Sequence, residues 1–305
     1  MPRSSLQELP DVGRLRLLRE VARHGTIAAT ARAAGVTSSA VSQQLGVLER
    51  ETGVRLLDRG PRGVALTGAG QTLVDQVDGL LHLLEQTRAT MDTLGDDLVG
   101  RVRVGTIASA AVSLVLPAHT RLAESVPGVG LEVVIDEPAA TIEAVVSGRL
   151  DVAVVDLYDH VPLAFPDYLA VDELVVEPLV LVAPTGSGLP RRPRLADLRH
   201  SSWVMPPEQA ACGAAVRYAC RAAGFEPTVR WETDDLLLLV ESVARGVGVT
   251  LLPRLAVADQ VADVALHTPA GPPLRRRILT VTRPATAQRP VVQAVLGALR
   301  PPSPR

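Results

Sequence analysis

The stretch TIAATARAAGVTSSAVSQQLGVLERETGVRLLDRGPRGVALT, residues 26–67, decides the fold of the N-terminal part of this 305-residue chain. Small residues at helical spacing predict a first helix over residues 27–34, and Gly35 then supplies a position that tolerates positive φ. Thr37 is a suitable N-cap for a second helix over about residues 38–51. Two short helices joined by a glycine turn predict a helix-turn-helix.

The second helix has one apolar stripe and one polar face. Val41, Leu45 and Leu48 form the stripe. The opposite face is short-chained, uncharged and rich in hydrogen-bond donors and acceptors, as a helix that enters the DNA major groove requires. On composition alone, a Ser/Gln-rich surface helix is the alternative. The candidate DNA-reading residues at the start and on the polar face of this helix are Thr37, Ser38, Ser39, Ser42, Gln43 and Gln44.

The sequence LLDRGPRGVALT, residues 56–67, predicts two short strands joined by a Gly-Pro turn. Such a hairpin forms a wing beside the helix pair, and its arginines would contact phosphates or the minor groove. Solvated arginines on an ordinary hairpin are the alternative. The candidate arginines, one near the end of the helix and two on the wing, are Arg50, Arg59 and Arg62.

These motifs resemble, in order and spacing, the winged helix-turn-helix of LysR-type transcriptional regulators. The small-residue helix, the A-V-S-x-Q-x-x-x-L-E core, G-V-x-L-x-x-R and the closing L-T-x-A-G all occur in register. Ser38 and Ser39 stand where the family often has Gln-Pro, which bears on the operator that is read, and Leu57 stands where Phe is common. The resemblance implies a transcriptional regulator that binds a double-stranded DNA operator.

The charge is distributed unevenly. The net charge of −2 argues by itself against a nucleic-acid binder, but residues 1–70 hold ten Arg against six Asp and Glu, and residues 71–305 hold 21 Arg against 27. The basic excess lies where DNA contact is expected. The N-terminus shows no signal region and no stretch is apolar enough to span a bilayer, so we expect a cytoplasmic protein with no membrane partner.

A leucine-rich pattern follows the wing. Leu73, Val77, Leu80 and Leu84 recur at near-heptad spacing within a predicted helix of about 25 residues, or some 38 Å. A long amphipathic helix normally buries its stripe against a second chain; packing on its own domain is the alternative. The family resemblance implies a dimer or tetramer in which this linker helix pairs antiparallel with its copy.

From residue 101 the pattern alternates between strands and helices, which predicts parallel sheets covered by helices. The same resemblance implies a two-lobed α/β effector domain of the periplasmic-binding-protein type, with a small molecule between the lobes. The predicted fold is thus α/β with an N-terminal, mainly α winged helix-turn-helix and a long linker helix. The expected ranges are 1–67 for DNA binding, 68–95 for the linker and 101–301 for effector binding, with lobes 101–170 plus 275–300 and 174–268, and crossovers near 170–173 and 267–275.

Ligands of open α/β sheets lie beyond the carboxyl ends of strands, near helix N-termini. Ser109 follows the first strand of this region and opens a helix, where it is either a ligand contact or an ordinary N-cap. Trp203 is either a pocket residue or core, and Asp234 and Asp235 are interpreted as partners of a helix N-terminus. The expected effector is a small, partly apolar organic molecule. The candidate effector contacts are Ser109, Ala110, Pro138, Ala139, Thr141, Trp203, Met205 and Pro206.

Other chemistries find little support. The six histidines show no metal-ligand spacing, and we see no phosphate loop or catalytic constellation, so we expect no metal, no cofactor and no enzymatic activity. Cys212 and Cys220 are eight residues apart on one predicted helix, too far for a disulfide without rearrangement. Two alternatives remain: a solute-binding protein or α/β enzyme with an appended helical domain, and a cysteine-based redox-sensing regulator.

Overall fold

The structure, a computed structural model, divides into two compact units, Met1–Thr90 and Met91–Arg305, which are described here one at a time. None of the helices in the described part of the chain combines the length and the apolar character that crossing a lipid bilayer demands. The described residues are 10–60, 63–92, 98–257 and 263–301.

The N-terminal unit contains three helices, a two-stranded hairpin and a long fourth helix. Residues 27–34 form a helix as predicted, and the next helix extends one residue beyond its predicted end. Thr37 caps that helix, and Gly35 takes the left-handed conformation expected of it, with φ at 67°. The elements are α1 (Val12–His24), α2 (Ile27–Ala34), α3 (Ser38–Thr52), β1 (Leu57–Gly60), β2 (Gly63–Leu66) and α4 (Gly68–Asp92).

Several motif residues hold the wing against the helices. Glu49, at the end of α3, accepts the backbone N–H groups of Leu56 at 2.9 Å and Leu57 at 3.2 Å. Thr67 caps α4 by accepting the N–H of Gly70 at 3.0 Å. A Cβ atom at Gly70 would lie 2.1 Å from the Leu56 carbonyl oxygen, so only glycine allows this approach. The L-E and L-T-x-A-G motifs therefore position the wing.

Helix α4 divides its apolar stripe between two environments. Val74 and Val77 are buried and pack into the core formed by α1, α2, α3 and the wing. Further along, Leu80 and Leu84 are 38% and 41% exposed. The start of the linker helix thus packs on its own unit, and its later turns leave Leu80 and Leu84 exposed.

The C-terminal unit alternates strands and helices. One helical segment, predicted as a single helix, is interrupted by a π-helical turn over Ala111–Val115, and two short 3₁₀ turns lie at Leu195–Leu198 and Arg254–Ala256. The remaining elements are β3 (Gly100–Thr106), α5 (Ala108–Ala110), α6 (Leu116–Ser125), β4 (Val129–Ile135), α7 (Pro138–Val146), β5 (Val152–Tyr158), β6 (Ala170–Pro184), β7 (Ser202–Met205), α8 (Ala211–Ala222), β8 (Thr228–Glu232), α9 (Leu236–Ala244), β9 (Thr250–Pro253), β10 (Val264–His267), β11 (Arg275–Thr282), α10 (Pro284–Ala287) and α11 (Pro290–Leu299).

The main sheet is mixed, with the order β10-β6-β11-β5-β3-β4 and β9 also paired with β6. The prediction of parallel pairing is confirmed for β3 with β4 and β5. It is wrong for β11, which runs antiparallel to β5 and β6, and for β9 and β10, which run antiparallel to β6. Strand β11 lies between β5 and β6 and runs antiparallel to both, although it follows β10 in the chain, so the order of strands and helices in the sequence does not report its direction.

The two lobes share strand β6, which is 15 residues long. Its first part, from Ala170 to Pro178, pairs with β11, and its second part, from Leu179 onward, pairs with β9 and β10. The sequence places this crossing near residues 170–173, and the change of partner occurs between Pro178 and Leu179. Strands β6 and β11 therefore connect one lobe to the other.

Candidate DNA-reading face and effector cleft

The exposed side of α3, called here the reading face, consists of Ser38, Ser39, Ser42 and Gln43. Ser42 is half-buried and the other three are exposed, while the apolar stripe of α3 is buried on the opposite side. Thr37 lies at the start of this face, where its side chain accepts a backbone N–H of the first turn at 3.2 Å. The helix therefore presents short hydroxyl and amide groups outward, backed by a rigid core.

Gln44 and Arg50 make contacts within the N-terminal unit. The Gln44 side-chain oxygen accepts a hydrogen bond from Arg14 Nε at 3.0 Å, and Arg14 also pairs with Glu51. Arg50 is exposed, and its Nε donates to the carbonyl oxygen of Gly46 at 3.2 Å. The structure thus ties Gln44 to α1, so Gln44 lies beside the reading face with its oxygen already engaged.

The wing places one of its arginines on a strand. Arg59 lies in β1 and pairs with Val64 of β2, so the hairpin predicted from the sequence is present. Arg62 lies outside the described residues. Arg55, just before β1, is exposed and lies 3.7 Å from Asp58.

A cavity of about 110 Å³, called here the interlobe cleft, lies between the two lobes of the C-terminal unit. The ends of β3 and β5 approach it from one lobe, the N-terminal ends of α8 and α9 approach it from the other, and β11 contributes Arg276. Its lining residues are Ile107, Ala108, Ser109, Glu137, Asp156, Tyr158, Pro206, Ala210, Ala211, Cys212, Asp234, Leu236, Pro253, Ala256 and Arg276.

Arg276 is the centre of a buried polar network in the cleft. Its side chain is 1% exposed, and its Nε donates to Glu177 at 2.9 Å, with Nη2 donating to the same oxygen. Nη1 donates to the Ser109 hydroxyl at 2.7 Å and lies 3.6 Å from Asp156. The other Glu177 oxygen accepts the N–H of Leu255 at 2.7 Å. One guanidinium thus connects α5 with strands β5 and β6, and Glu177 extends the network to the turn after β9.

Arg276 balances only part of the negative charge that the carboxyl groups of the cleft can carry. Burial raises the pKa of Asp156, and this outweighs the opposing effect of Arg276, whose Nε and Nη2 groups are already directed to Glu177. Burial also raises the pKa of Glu137, with further increases from Asp156 and Asp234. The cleft therefore has an acidic balance and suits a ligand with positive charge or hydrogen-bond donors.

Cys212 and Tyr158 both line the interlobe cleft. Burial raises the pKa of Cys212 to about 12, and it also raises the pKa of Tyr158 well above its usual range. Burial likewise raises the pKa of Cys220, on the same helix, to about 12. Both cysteines are therefore neutral thiols at physiological pH, the less reactive form.

The structure brings only two of the predicted effector contacts, Ser109 and Pro206, to the cleft lining. Ala110 is fully buried behind Ser109, and Ala139 is exposed on α7. Pro138 is buried, and Thr141 donates its hydroxyl to the Pro138 carbonyl oxygen at 3.0 Å. The Thr141 hydroxyl is thus engaged in a hydrogen bond within its own helix, α7.

Trp203 and Met205 lie in the hydrophobic core of the second lobe, and neither is exposed. Trp203 also donates its indole N–H to the Leu198 carbonyl oxygen at 3.4 Å. Alternate residues of β7 point to opposite sides of the strand, but helices cover both sides here, so even apolar residues next to the cleft are packed inside.

The sequence reasoning missed most of the cleft. Asp156, Glu177 and Arg276 lie within strands, where a charged residue is unusual unless it is paired. That was the available signal: one acid inside each of the apolar runs VAVVDLY and VVEPLVLV, and an arginine in RRRILTVT. Asp234 was interpreted as a helix-terminus partner, but Asp235 caps α9 and Asp234 lines the cleft.

The two units match two family models. Residues 12–71 match the bacterial regulatory helix-turn-helix proteins of the lysR family, and residues 95–301 match the LysR substrate binding domain. A probable HTH-type transcriptional regulator, LrrA of Synechococcus elongatus, is 27% identical over 96% of this chain and 98% of its own length. A probable hydrogen peroxide-inducible genes activator of Streptomyces viridosporus is 32% identical over 95% of this chain and 94% of its own.

Solved structures agree on the fold. A full-length variant of OxyR from Pseudomonas aeruginosa superposes with a TM-score of 0.68 at 20% identity, over 96% of this chain and 95% of that one. CbnR in complex with its target DNA gives a TM-score of 0.53 at 21% identity, over 95% and 100%. With a winged helix-turn-helix unit and a two-lobed α/β unit that both match its family models, this chain belongs to the LysR family of DNA-binding transcriptional regulators with an effector-binding domain.

Proposed function

We propose that the reading face of α3 reads operator bases and that the wing arginines anchor it to the phosphates. The observation that carries this proposal is the exposure of uncharged hydroxyl and amide groups on the reading face, on a helix whose other side is fixed by a buried core. Ser and Gln hydrogen-bond base edges in the major groove, and arginines outside it contact the backbone. Thr37, Gln44 and Arg50 flank the face and would contribute backbone contacts, as would Arg59 and Arg62.

Binding to DNA from the intergenic region beside the gene, measured at increasing salt, tests this proposal. We expect affinity to fall linearly on a double-logarithmic plot, because arginine–phosphate contacts release counterions. The absence of any DNA binding at low salt would contradict it.

The interlobe cleft is the proposed effector site. Ser109 and Pro206 line it as predicted, and Arg276, Asp156 and Glu137 add its charged groups. Three carboxyl groups, those of Glu137, Asp156 and Asp234, line the cleft together with one guanidinium that is already paired with Glu177, so the small organic effector would carry a positive charge or several donors. The effector acts on DNA binding only if it binds one lobe arrangement better than another.

The proposed domain ranges follow the sequence, with 1–67 for DNA binding, 68–95 for the linker and 101–301 for the effector domain. The exposed Leu80 and Leu84 on α4 support self-association through the linker helix. Replacing both with Arg should lower the association equilibrium constant at least about 100-fold, since two apolar side chains would lose a partner. Gln71→Arg, on the opposite side of α4, is the matched control. Sedimentation of the full-length protein measures the result; an unchanged dimer would contradict the proposal.

A redox role for the cysteines is the second candidate, favoured by the name of the Streptomyces relative. Cys212 and Cys220 lie near opposite ends of one helix, and burial keeps both thiols protonated, which opposes reaction with peroxide. Operator binding of the wild type and of a Cys212→Ala variant, each measured with and without peroxide, separates redox sensing from effector sensing. We expect that peroxide changes the operator affinity of neither protein. We further infer that the protein is a regulator rather than an enzyme or an exported solute binder, and that it acts in the cytoplasm with the DNA.

A further inference from the structure

A second cavity, called here the hinge cavity, lies in the C-terminal unit and shares no lining residue with the interlobe cleft. Its volume is about 720 Å³, within the range of small-molecule sites. One wall is the outer side of α8, the opposite wall is the loop that connects β10 with β11, and the floor is formed by β6 and β9. The lining residues are His160, Pro178, Leu179, Arg194, Leu195, Ala196, Tyr218, Ala219, Ala222, Ala223, Leu251 and Thr268 to Leu274.

Two backbone hydrogen bonds hold the loop between β10 and β11, one near its middle and one at its end. The N–H of Ala270 donates to the Pro193 carbonyl oxygen at 2.8 Å, and the Leu274 carbonyl oxygen accepts the N–H of Leu179 at 2.9 Å. Pro272 and Pro273 restrict the backbone between these anchors, and Pro269 restricts it just before the first. A wall that is already ordered loses little entropy when a ligand binds, so the cavity is preorganised.

A flat aromatic surface borders the cavity. The rings of His160 and Tyr218 stack with centroids 4.2 Å apart and an angle of 22° between their planes. His160 has a φ of 66°, which is uncommon for a residue other than glycine, and the stack occurs with the backbone in that conformation. Tyr218 remains 42% exposed, so its ring is accessible to a planar partner.

Among its described residues, the lining of the hinge cavity carries a positive charge without a balancing carboxylate. Arg194 is exposed at the rim, and among the lining residues, all of which lie in the described part of the chain, there is no carboxyl group. The nearby Asp159 accepts the backbone N–H of Arg275 at 3.1 Å. The rest of the lining is mainly Ala, Leu and Pro, which favours an apolar body.

We propose that the hinge cavity is a second small-molecule site, which takes a planar aromatic carboxylic acid. The ring lies along the His160–Tyr218 stack and the alanines of α8, and the carboxylate faces Arg194. The cavity touches β6 at Pro178 and Leu179 and ends at Leu274, so an occupant contacts the chain next to Glu177 and Arg276. Any influence on DNA binding rests on the proposed function of the cleft; the binding itself does not.

The test is a titration of the full-length protein with 1-naphthoate, in which calorimetry and ligand-observed NMR measure binding. The neutral 1-naphthamide is the matched probe. We expect saturable naphthoate binding that Arg194→Gln weakens about tenfold, the size of one lost charged contact. Naphthamide should bind wild type and Arg194→Gln equally. Arg192→Gln, an exposed neighbour outside the lining, should leave naphthoate binding unchanged.

A cavity-filling variant, Ala222→Trp, should abolish binding of both probes. The proposal is overturned if wild type shows no saturable naphthoate binding, or if Arg194→Gln and Arg192→Gln bind it equally. It is also overturned if Ala211→Trp, which fills the interlobe cleft, removes binding that Ala222→Trp leaves intact. If Ala222→Trp does not fold, the comparison of Arg194→Gln with the two probes decides alone. None of these results depends on DNA, so they separate this site from the proposed regulatory function.

Discussion

The reading face and the interlobe cleft present polar groups in opposite ways. On α3, uncharged side chains from within six residues of one another point outward, and the apolar stripe behind them fixes the helix. In the cleft, polar and charged side chains from positions as far apart as Ser109 and Arg276 meet inside the protein, where each must find a partner. We therefore expect substitutions on the reading face to change recognition and substitutions in the cleft network to change stability.

We expect the largest loss in the free energy of unfolding for Arg276→Met. It leaves Glu177 as a buried charge without its main partner, and breaking a buried ion pair in this way costs about 3–5 kcal/mol. Chemical denaturation of the full-length protein measures the loss. The double variant Glu177→Gln with Arg276→Met should recover a substantial part of it, because no unpaired charge remains.

Arg277→Met provides the matched control for that experiment. Arg277 is the next residue of β11 and is exposed, so its replacement should alter the free energy of unfolding by less than about 0.5 kcal/mol. If Arg276→Met and Arg277→Met lowered the free energy of unfolding equally, the buried network would not contribute more to stability than an exposed arginine does. The contrast drawn between the reading face and the cleft network would then be wrong.

The reading face is tested by Gln43→Ala. If this amide contacts a base edge as proposed, its loss should reduce discrimination between operator and altered operator by about 1–3 kcal/mol, with little change in the free energy of unfolding. Arg62→Ala should instead weaken binding to all sequences and lower the salt dependence by about one counterion. Competition binding with base-substituted operators measures both. Equal loss of specificity in the two variants would contradict the division of labour between helix and wing.

The same contrast explains what sequence reasoning could reach. The bounds of α2 and α3, the cap at Thr37 and the exposed face of α3 depend on residues close in sequence, so periodicity and capping rules found them. The Arg276–Glu177 pair joins residues 99 positions apart, and its partners are known only once β6 and β11 are aligned. Strand β10 carries little signal in the sequence, because a run of four residues is too short to show a period.

Ser109→Ala should have a smaller effect than either change above. The hydroxyl accepts one of several hydrogen bonds from Arg276, and Asp156 remains 3.6 Å away to receive part of the charge, so the loss costs about 0.5–1.5 kcal/mol. Operator binding should be unchanged, while the effector concentration that produces half of the response should rise about tenfold. A metabolite identified by thermal shift of the full-length protein supplies the ligand. An unchanged response would remove Ser109 from the effector site.

The smallest expected effect is a change in the pH dependence of stability. Burial raises the pKa of Asp156 in the folded protein, so the folded state holds a proton that the unfolded chain releases from about pH 4 upward. The unfolded state then binds fewer protons, and the contribution of this group to stability is greatest below that pH and falls as the pH rises through the raised value. Asp156→Asn should flatten the fall, while Asp197→Asn, an exposed carboxyl outside the cleft, should not. A steeper fall in Asp156→Asn would mean that Arg276 compensates Asp156 fully, and the acidic balance inferred for the cleft would then be wrong.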